Sequence, residues 1–465
     1  MNKLLEYNID YSLSLNIDKK ILRKYKILPL KSQELSILIA TSSKEQDIDQ
    51  LLPFFNKPIQ FINVHNNDMN AELQYLEFKE SLYTLAKEAL SVSDMNDENS
   101  YIIDFMDKLF SFSIKNNVSD IHFESMNTSI VIRLRIDGEL NQIFRFGIHL
   151  FPLVSSIIKY FGNLDISQRR IPLNGRFSRE IDNITYDMRI STIPTIHGES
   201  IVLRILNNGN IQKDINKIGF EENTLLTIKK TLQLNQGLVL VTGPTGSGKT
   251  TSLYSMINFL NTENKKIITI EDPVEYKLDG VMQVNINEEI ELNYKSVLKN
   301  ILRQDPDILL IGEIRDTASL QIAIQASLTG HLVIATLHTN SAMETITRLL
   351  DLKAEPYLIS STLKMVLSQR LLRVLCLECK EKDTVLSKNN VIGCSSCNYV
   401  GYKNRKIVSE VLEIDDTIAS MISSSKPINE ILEYAKKIEF TTLKENAMRL
   451  VDNGNTTLEE FYSKV

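Results

Sequence analysis

A chain of 465 residues has room for about three domains, and 43% hydrophobic with 24% charged residues is the composition of a soluble globular protein. The formal net charge of −6, from 52 basic and 58 acidic residues, argues against a dedicated nucleic-acid binder, which presents a strongly basic face. The first ten residues contain no apolar leader, and no run approaches the ~18 apolar residues of a membrane span, so the sequence predicts a cytoplasmic protein whose membrane contacts are peripheral.

Residues 1–90 read as a small N-terminal α/β docking domain. Short strands are expected at Ile27–Leu30, Leu35–Ala40 and Ile59–Val64, with helices at Asp47–Phe55 and Ala71–Leu90. Packing alone explains these residues, so docking is one reading and a plain scaffold the other. Residues 91–100 are polar and aperiodic, a predicted linker. An α+β domain over 101–207 opens with a helix, Tyr101–Lys115. Strands follow at Ser129–Ile136, closed by Asp137-Gly138, and at Tyr186–Thr192 and Ser200–Leu206. Nine of the 17 arginines lie between Arg133 and Arg204, against one lysine, Lys159. Arginine suits a rigid fork that meets phosphate, so a phosphate-facing surface is expected, with a salt-bridged strand face as the ordinary alternative.

After a second linker, 208–217, residues 218–370 alternate strands and helices. Strands at Gly237–Thr242, Ile267–Glu271, Ile308–Gly312 and Leu332–Leu337 predict a parallel sheet with helices on both faces. Gly243-Pro244-Thr245-Gly246-Ser247-Gly248-Lys249-Thr250-Thr251 follows the first strand and opens a helix, which is the setting of a phosphate-binding loop. Its backbone amides and helix N-terminus attract an anion. Lys249 is expected to reach the outer phosphates of ATP, and the Thr250 hydroxyl to meet Mg²⁺. Three further strands end in polar groups: Glu271-Asp272, Glu313 and His338. Phosphoryl transfer needs positioning and charge neutralisation more than covalent work. A carboxylate is therefore expected to orient the attacking water, Glu271 by preference with Glu313 as rival. Gly312 stands where a magnesium-binding strand usually carries Asp. His338 is a candidate sensor of the γ-phosphate, although a histidine after an apolar strand is commonly structural.

All four cysteines fall in the 371–405 segment, as Cys376-x₂-Cys379 and Cys394-x₂-Cys397 with fourteen residues between the pairs. That spacing predicts a closed four-thiolate structural site for zinc. Residues 406–465 begin with a strand, Lys406–Glu413, and continue as helices.

These motifs, with Ser119–Glu124, Arg133-x-Arg135-x-Asp137-Gly138, Ile270–Glu275, Gly312–Asp316 and Thr336–Asn340, make residues from about 101 onward resemble the GspE/PilB-like secretion-superfamily ATPases. These serve type II secretion, type IV pilus assembly and competence systems. The resemblance implies a RecA-like P-loop domain preceded by a PAS-like α+β domain, working as a cytoplasmic homohexamer. It implies that Arg189 and Arg204 reach the γ-phosphate, that Glu271-Asp272 is an acidic box, and that Gly312-Glu313 is an atypical metal-binding strand end. The cysteine insert is similar to that of assembly-type rather than retraction-type motors. Implied partners are an inner-membrane platform protein and an associated docking protein, with no direct nucleic-acid contact. The first 100 residues depart from the family pattern, being short and without a cyclic-dinucleotide signature. The expected function is a Mg²⁺-dependent ATPase motor for pilus or pseudopilus assembly. A RecA-like nucleic-acid translocase and a non-hydrolysing nucleotide-gated scaffold are the alternatives.

Overall fold

The computed structural model describes residues 4, 7–43, 55, 57–91, 95–206, 214–287, 290–380 and 393–465. Two compact units divide the chain: Met1–Asn208 with Cys376–Glu381 and Val391–Lys403, and Gly209–Leu375 with Lys382–Asn390 and Asn404–Val465. The expected α/β class is the one observed. No helix among the described residues is long and apolar enough to cross a membrane.

In the first unit, α1 (Lys19–Tyr25) precedes β1 (Ile27–Ser32), β2 (Ile37–Thr41) and β3 (Ile59–Asn63). β1 and β2 pair antiparallel, β2 and β3 parallel. The predicted helix over 47–55 lies in residues outside the described set except for Phe55. The single helix expected over 71–90 is two, α2 (Asn66–Gln74) and α3 (Leu76–Ser91). They break at Tyr75, where φ is −104° and ψ 17°. α4 (Met95–Lys115) starts six residues earlier than expected, so part of the predicted linker is helical. Polarity alone does not separate a linker from the opening turns of a helix whose apolar stripe, Ile102, Phe105, Met106 and Leu109, comes later.

That stripe packs with α5 (Phe151–Phe161) on a six-stranded sheet of order β6–β5–β4–β9–β8–β7. Its strands are β4 (Val118–Ser125), β5 (Ser129–Ile136), β6 (Glu139–Gly147), β7 (Leu173–Ile181), β8 (Ile184–Thr195) and β9 (Gly198–Leu206), all antiparallel. Asp137 and Gly138, both at positive φ, close the β5–β6 hairpin as the sequence predicts.

The second unit runs α6 (Glu222–Leu232), β10 (Gly237–Thr242), α7 (Lys249–Leu260), β11 (Ile267–Glu271), β12 (Met282–Asn285), α8 (Tyr294–Ile301), β13 (Ile308–Ile311), α9 (Thr317–Leu328), β14 (Leu332–Leu337), α10 (Ala342–Asp351) and α11 (Pro356–Thr362). Then come β15 (Leu363–Leu375), β16 (Tyr402–Glu413), α12 (Asp416–Ser423), α13 (Ile428–Lys437), α14 (Leu443–Asp452) and α15 (Leu458–Lys464). The sheet order is β12–β11–β13–β14–β10–β15–β16, parallel from β12 to β15. Apolar side chains cover both faces: Leu238 and Leu240 of β10 enter one core, Val239 and Val241 the other. Burial on both faces is why these strands read as continuous apolar runs. β15 continues to Leu375 and β16 begins at Tyr402, so the cysteine segment between them is narrower than the 371–405 expected.

Candidate active site

β10 lies between β14 and β15 and delivers Gly243 at its carboxyl end. Gly243 sits at φ +144°, and a Cβ there would fall 2.6 Å from both the Gln369 carbonyl and Ser247 Oγ. Only glycine lets the chain turn this tightly against β15. Gly248, at φ +90°, then caps α7, so Lys249 is the first helical residue. Its ammonium donates to the carbonyls of Gly243 at 2.6 Å and Pro244 at 3.1 Å. Burial holds the Lys249 pKa down at about 8, with Glu313 opposing the shift and Arg370 adding to it. Ser247 Oγ and Thr242 Oγ1 are buried without a hydrogen-bond partner among the described residues. A cradle with an orphaned hydroxyl, a cation turned in on its own carbonyls and a helix N-terminus fits a phosphate chain. It opens on a cavity of about 530 Å³, with Pro244, Thr245, Gly246, Thr250 and Thr251 on its wall.

The same cavity is lined by the polar strand tips. Glu271 is buried, and its two oxygens are already engaged. Thr269 Oγ1 donates to one at 2.6 Å, Gln283 Nε2 to the same one at 3.3 Å, and the Tyr254 hydroxyl to the other. Burial, reinforced by that carboxylate, raises the Tyr254 pKa far above its usual value. Glu313 is more open. Arg315 Nε donates to its Oε2 at 2.7 Å, and His338 Nε2 lies 3.4 Å from its Oε1. Arg315 also reaches Asp272 at 3.5 Å, and the two acids raise its pKa. The structure thus brings Lys249, Thr250, Glu271, Glu313 and His338 around one cavity.

Two contributors escaped sequence reasoning. Gln369, fully buried on β15, donates Nε2 to the Ser247 carbonyl at 2.9 Å and accepts from Ser252 Oγ at 2.9 Å. It pins the loop to the first turn of α7. Arg405 of β16 lines the cavity too. For Gln369 the available signal was its place beside Arg370 in a run, Leu363–Leu375, whose remaining residues are mostly apolar.

Arg189 and Arg204 belong to the first unit, where they face each other in register on β8 and β9. The row extends across the sheet: Arg176 opposes Arg189, Asp120 opposes Arg204, and Arg135 opposes Asp120. Asp120 is nearly buried, accepts from Arg204 Nε at 2.9 Å and pairs with Arg135 at 3.5 Å. Like charges directly opposite on a sheet are unfavourable, so the facing pairs Arg176–Arg189 and Arg189–Arg204 make this row a surface suited to anions.

The four cysteine sulfurs lie within 4.8 Å of one another. Cys376 and Cys394 are 3.7 Å apart, Cys379 and Cys397 3.7 Å, and Cys394 and Cys397 3.8 Å. A tetrahedral metal at about 2.3 Å from each thiolate requires sulfur–sulfur edges of about 3.8 Å. The residues therefore fit a closed metal site. Amides of Cys394 and Gly401 donate to Cys397 Sγ at 3.2 Å, stabilising thiolate charge. The segment packs on α2, with Gln74 Nε2 donating to the Ser395 carbonyl at 3.0 Å and the Tyr75 hydroxyl to Asn398.

Comparison with known proteins agrees with this geometry. The family described as type II/IV secretion system protein matches residues 95–463. The type II secretion system protein E of Dickeya dadantii (strain 3937) is 40% identical over 395 residues, covering 81% of this chain and 79% of that protein. The type II secretion system ATPase E of Vibrio cholerae serotype O1 is 36% identical over 418 residues, covering 85% and 83%. The crystal structure of the pilus retraction motor PilT with bound ADP superimposes with a TM-score of 0.55 at 26% identity, covering 77% of this chain and 96% of that one. Matches of this extent settle the assignment: the chain belongs to the type II/IV secretion system protein family, as one of its secretion ATPases.

Proposed function

We propose that this chain is a Mg²⁺-dependent, ATP-hydrolysing motor, a homohexamer at the cytoplasmic face of the inner membrane that powers pilus or pseudopilus assembly. Among the systems the family serves, type II secretion is favoured by the names of its relatives. The observation that carries the reading is one cavity of about 530 Å³ with the phosphate loop on one wall and the Glu313–His338 pair on the other.

Within it, Lys249 and the amides of Gly243–Thr251 grip the phosphates once the lysine exchanges the Gly243 and Pro244 carbonyls for anionic oxygens. Thr250 would hold Mg²⁺, which supplies charge neutralisation. Glu313, open to the cavity, orients the attacking water, and the occupied oxygens of Glu271 make it the wall that shapes the site. This reverses the preference drawn from sequence. His338, beside Glu313, reads the γ-phosphate. Arg189 and Arg204 neutralise the negative charge that develops on the phosphoryl oxygens in the transition state, as the family resemblance implies. Zinc at Cys376, Cys379, Cys394 and Cys397 is structural, and the partners are an inner-membrane platform protein and its docking protein.

The test is turnover of Mg-ATP by the purified chain. Lys249→Ala is expected to abolish both nucleotide binding and hydrolysis, and omission of Mg²⁺ to abolish hydrolysis. Hydrolysis by Lys249→Ala at the wild-type rate would overturn the assignment.

A further inference from the structure

The loop that presents His338 is short, running from the end of β14 at Leu337 to the start of α10 at Ala342. Its neighbours on both sides are groups of β15 and β16 that sequence reasoning left without a role. Arg370, buried on β15, uses each arm of its guanidinium. One nitrogen donates to the side-chain oxygen of Asn340 at 3.1 Å and its carbonyl at 3.4 Å. A second donates to the Gln369 carbonyl at 3.1 Å, and Nε to the Lys464 carbonyl, in α15, at 3.2 Å. Ser368 Oγ also reaches the Asn340 carbonyl, at 3.2 Å. At the far end of the loop, Glu410 of β16 is buried and accepts two helix-opening amides. One is from Ala342 of α10 at 2.5 Å, the other from Leu443 of α14 at 2.6 Å.

Among the described residues this buried guanidinium donates to neutral carbonyl and amide oxygens, an unusual use of charge, because desolvation is then offset by hydrogen bonds and more distant acids. Burial lowers the Arg370 pKa, with Glu410 and Glu344 opposing the shift. A lysine or glutamine would reach fewer of these oxygens, since only the planar fork spans Asn340, Gln369 and Lys464 together. The adjacent Gln369 points the other way, to the phosphate loop. One dipeptide of β15 therefore sets both walls of the nucleotide cavity.

We infer that Arg370 and Glu410 are positioning residues that tie the His338 loop to the C-terminal helices α14 and α15, so that these helices set the placement of His338 against Glu313. The inference rests on the ATPase reading and goes beyond it: the C-terminal helices become part of the machinery that reads the γ-phosphate. A rearrangement of α14 or α15, from a neighbouring subunit or a partner, reaches the site through two side chains.

The experiment compares Arg370→Lys, Asn340→Ala, His338→Ala and the double variant Arg370→Lys/His338→Ala in the full chain. It measures kcat and the dissociation constant of a non-hydrolysable ATP analogue with Mg²⁺. Arg370→Lys is expected to lower kcat about 10- to 100-fold, the scale of a displacement near 1 Å at a reacting group, with nucleotide affinity within twofold of wild type. In the His338→Ala background it should lower kcat no further. Asn340 is exposed, so its alanine variant removes the side-chain part of the link without touching the core, leaves the bonds to its carbonyl, and should show the same split to a smaller extent. Wild-type turnover in Arg370→Lys and Asn340→Ala, additive losses in the double variant, or parallel losses of affinity and kcat would each overturn the inference. A His338→Ala chain with normal turnover would overturn it while leaving the ATPase reading intact. A Glu313→Gln chain with normal turnover would overturn that reading instead.

Discussion

Two carboxylates of one cavity differ in what already surrounds them. Glu271 is buried and accepts from Thr269, Gln283 and Tyr254, whereas the more open Glu313 accepts from Arg315 at one oxygen and has His338 Nε2 3.4 Å from the other. Glu271→Gln places an amide against three donors, and a buried group left mismatched costs about 1–3 kcal/mol. A drop of several degrees in melting temperature is therefore expected, together with slower turnover; an unchanged melting temperature would contradict it. Lys249 gives a pH prediction. Its pKa of about 8 in the free protein rises when phosphate oxygens replace the loop carbonyls, so above pH 8 nucleotide binding takes up a proton and affinity falls as pH rises. Below pH 8 the lysine is already charged and affinity levels off. Titration calorimetry in buffers of different ionisation enthalpy measures that uptake, and pH-independent affinity between pH 8 and 9.5 would refute it. At this scale the sequence disclosed which side chains gather, because P-loop spacing and polar strand tips are local patterns. It did not disclose which carboxylate is the more enclosed, since Tyr254 and Gln283 reach Glu271 from other elements.

Elements carry the second lesson. The apolar strands β10, β11, β13 and β14 were legible nearly to the residue, because both faces are buried and the run is uninterrupted. β15, which pairs with β10, was missed. Its Lys364, Gln369, Arg370 and Arg373 interrupt the apolar pattern, yet Gln369 and Arg370 are buried and satisfied by partners far along the chain. Tyr75 is a similar case: the break between α2 and α3 coincides with a hydroxyl contact to Asn398, 323 residues away. The cysteine segment makes an element-scale prediction. With the proposed zinc removed by a chelator, the thiols take up protons and the cross-link between the two cysteine pairs is lost, so the segment is expected to open. Hydrogen exchange should then rise at 393–403 and in α2, with about one zinc recovered per chain. Unchanged exchange in α2 after metal loss would contradict this packing. A second element-scale test concerns α5. Lys159 is fully buried and donates to Glu199 at 2.7 and 2.9 Å and to the Gln168 carbonyl at 2.6 Å. Breaking a buried pair by removing one partner costs about 3–5 kcal/mol, so Lys159→Ala should melt well below wild type, and a melt within 1–2 °C of wild type would count against it.

For the whole molecule, the proposed ATPase draws on residues of both units, each described by itself. The second contributes the phosphate loop, the acids and the histidine. The first contributes a cross-strand row of Arg135, Arg204, Arg189 and Arg176, of which Arg135 and Arg204 pair with Asp120. The arginine excess was visible as a count, but its alignment into one row was not, because cross-strand register depends on hairpin turns and long-range pairing. The measurement that bears most directly on the central claim is nucleotide binding and turnover by Glu313→Gln with Mg-ATP. The account predicts wild-type affinity with kcat reduced at least 100-fold, the scale of losing a positioned general base. Turnover at the wild-type rate, or failure of the wild-type chain to bind ATP at all, would contradict it.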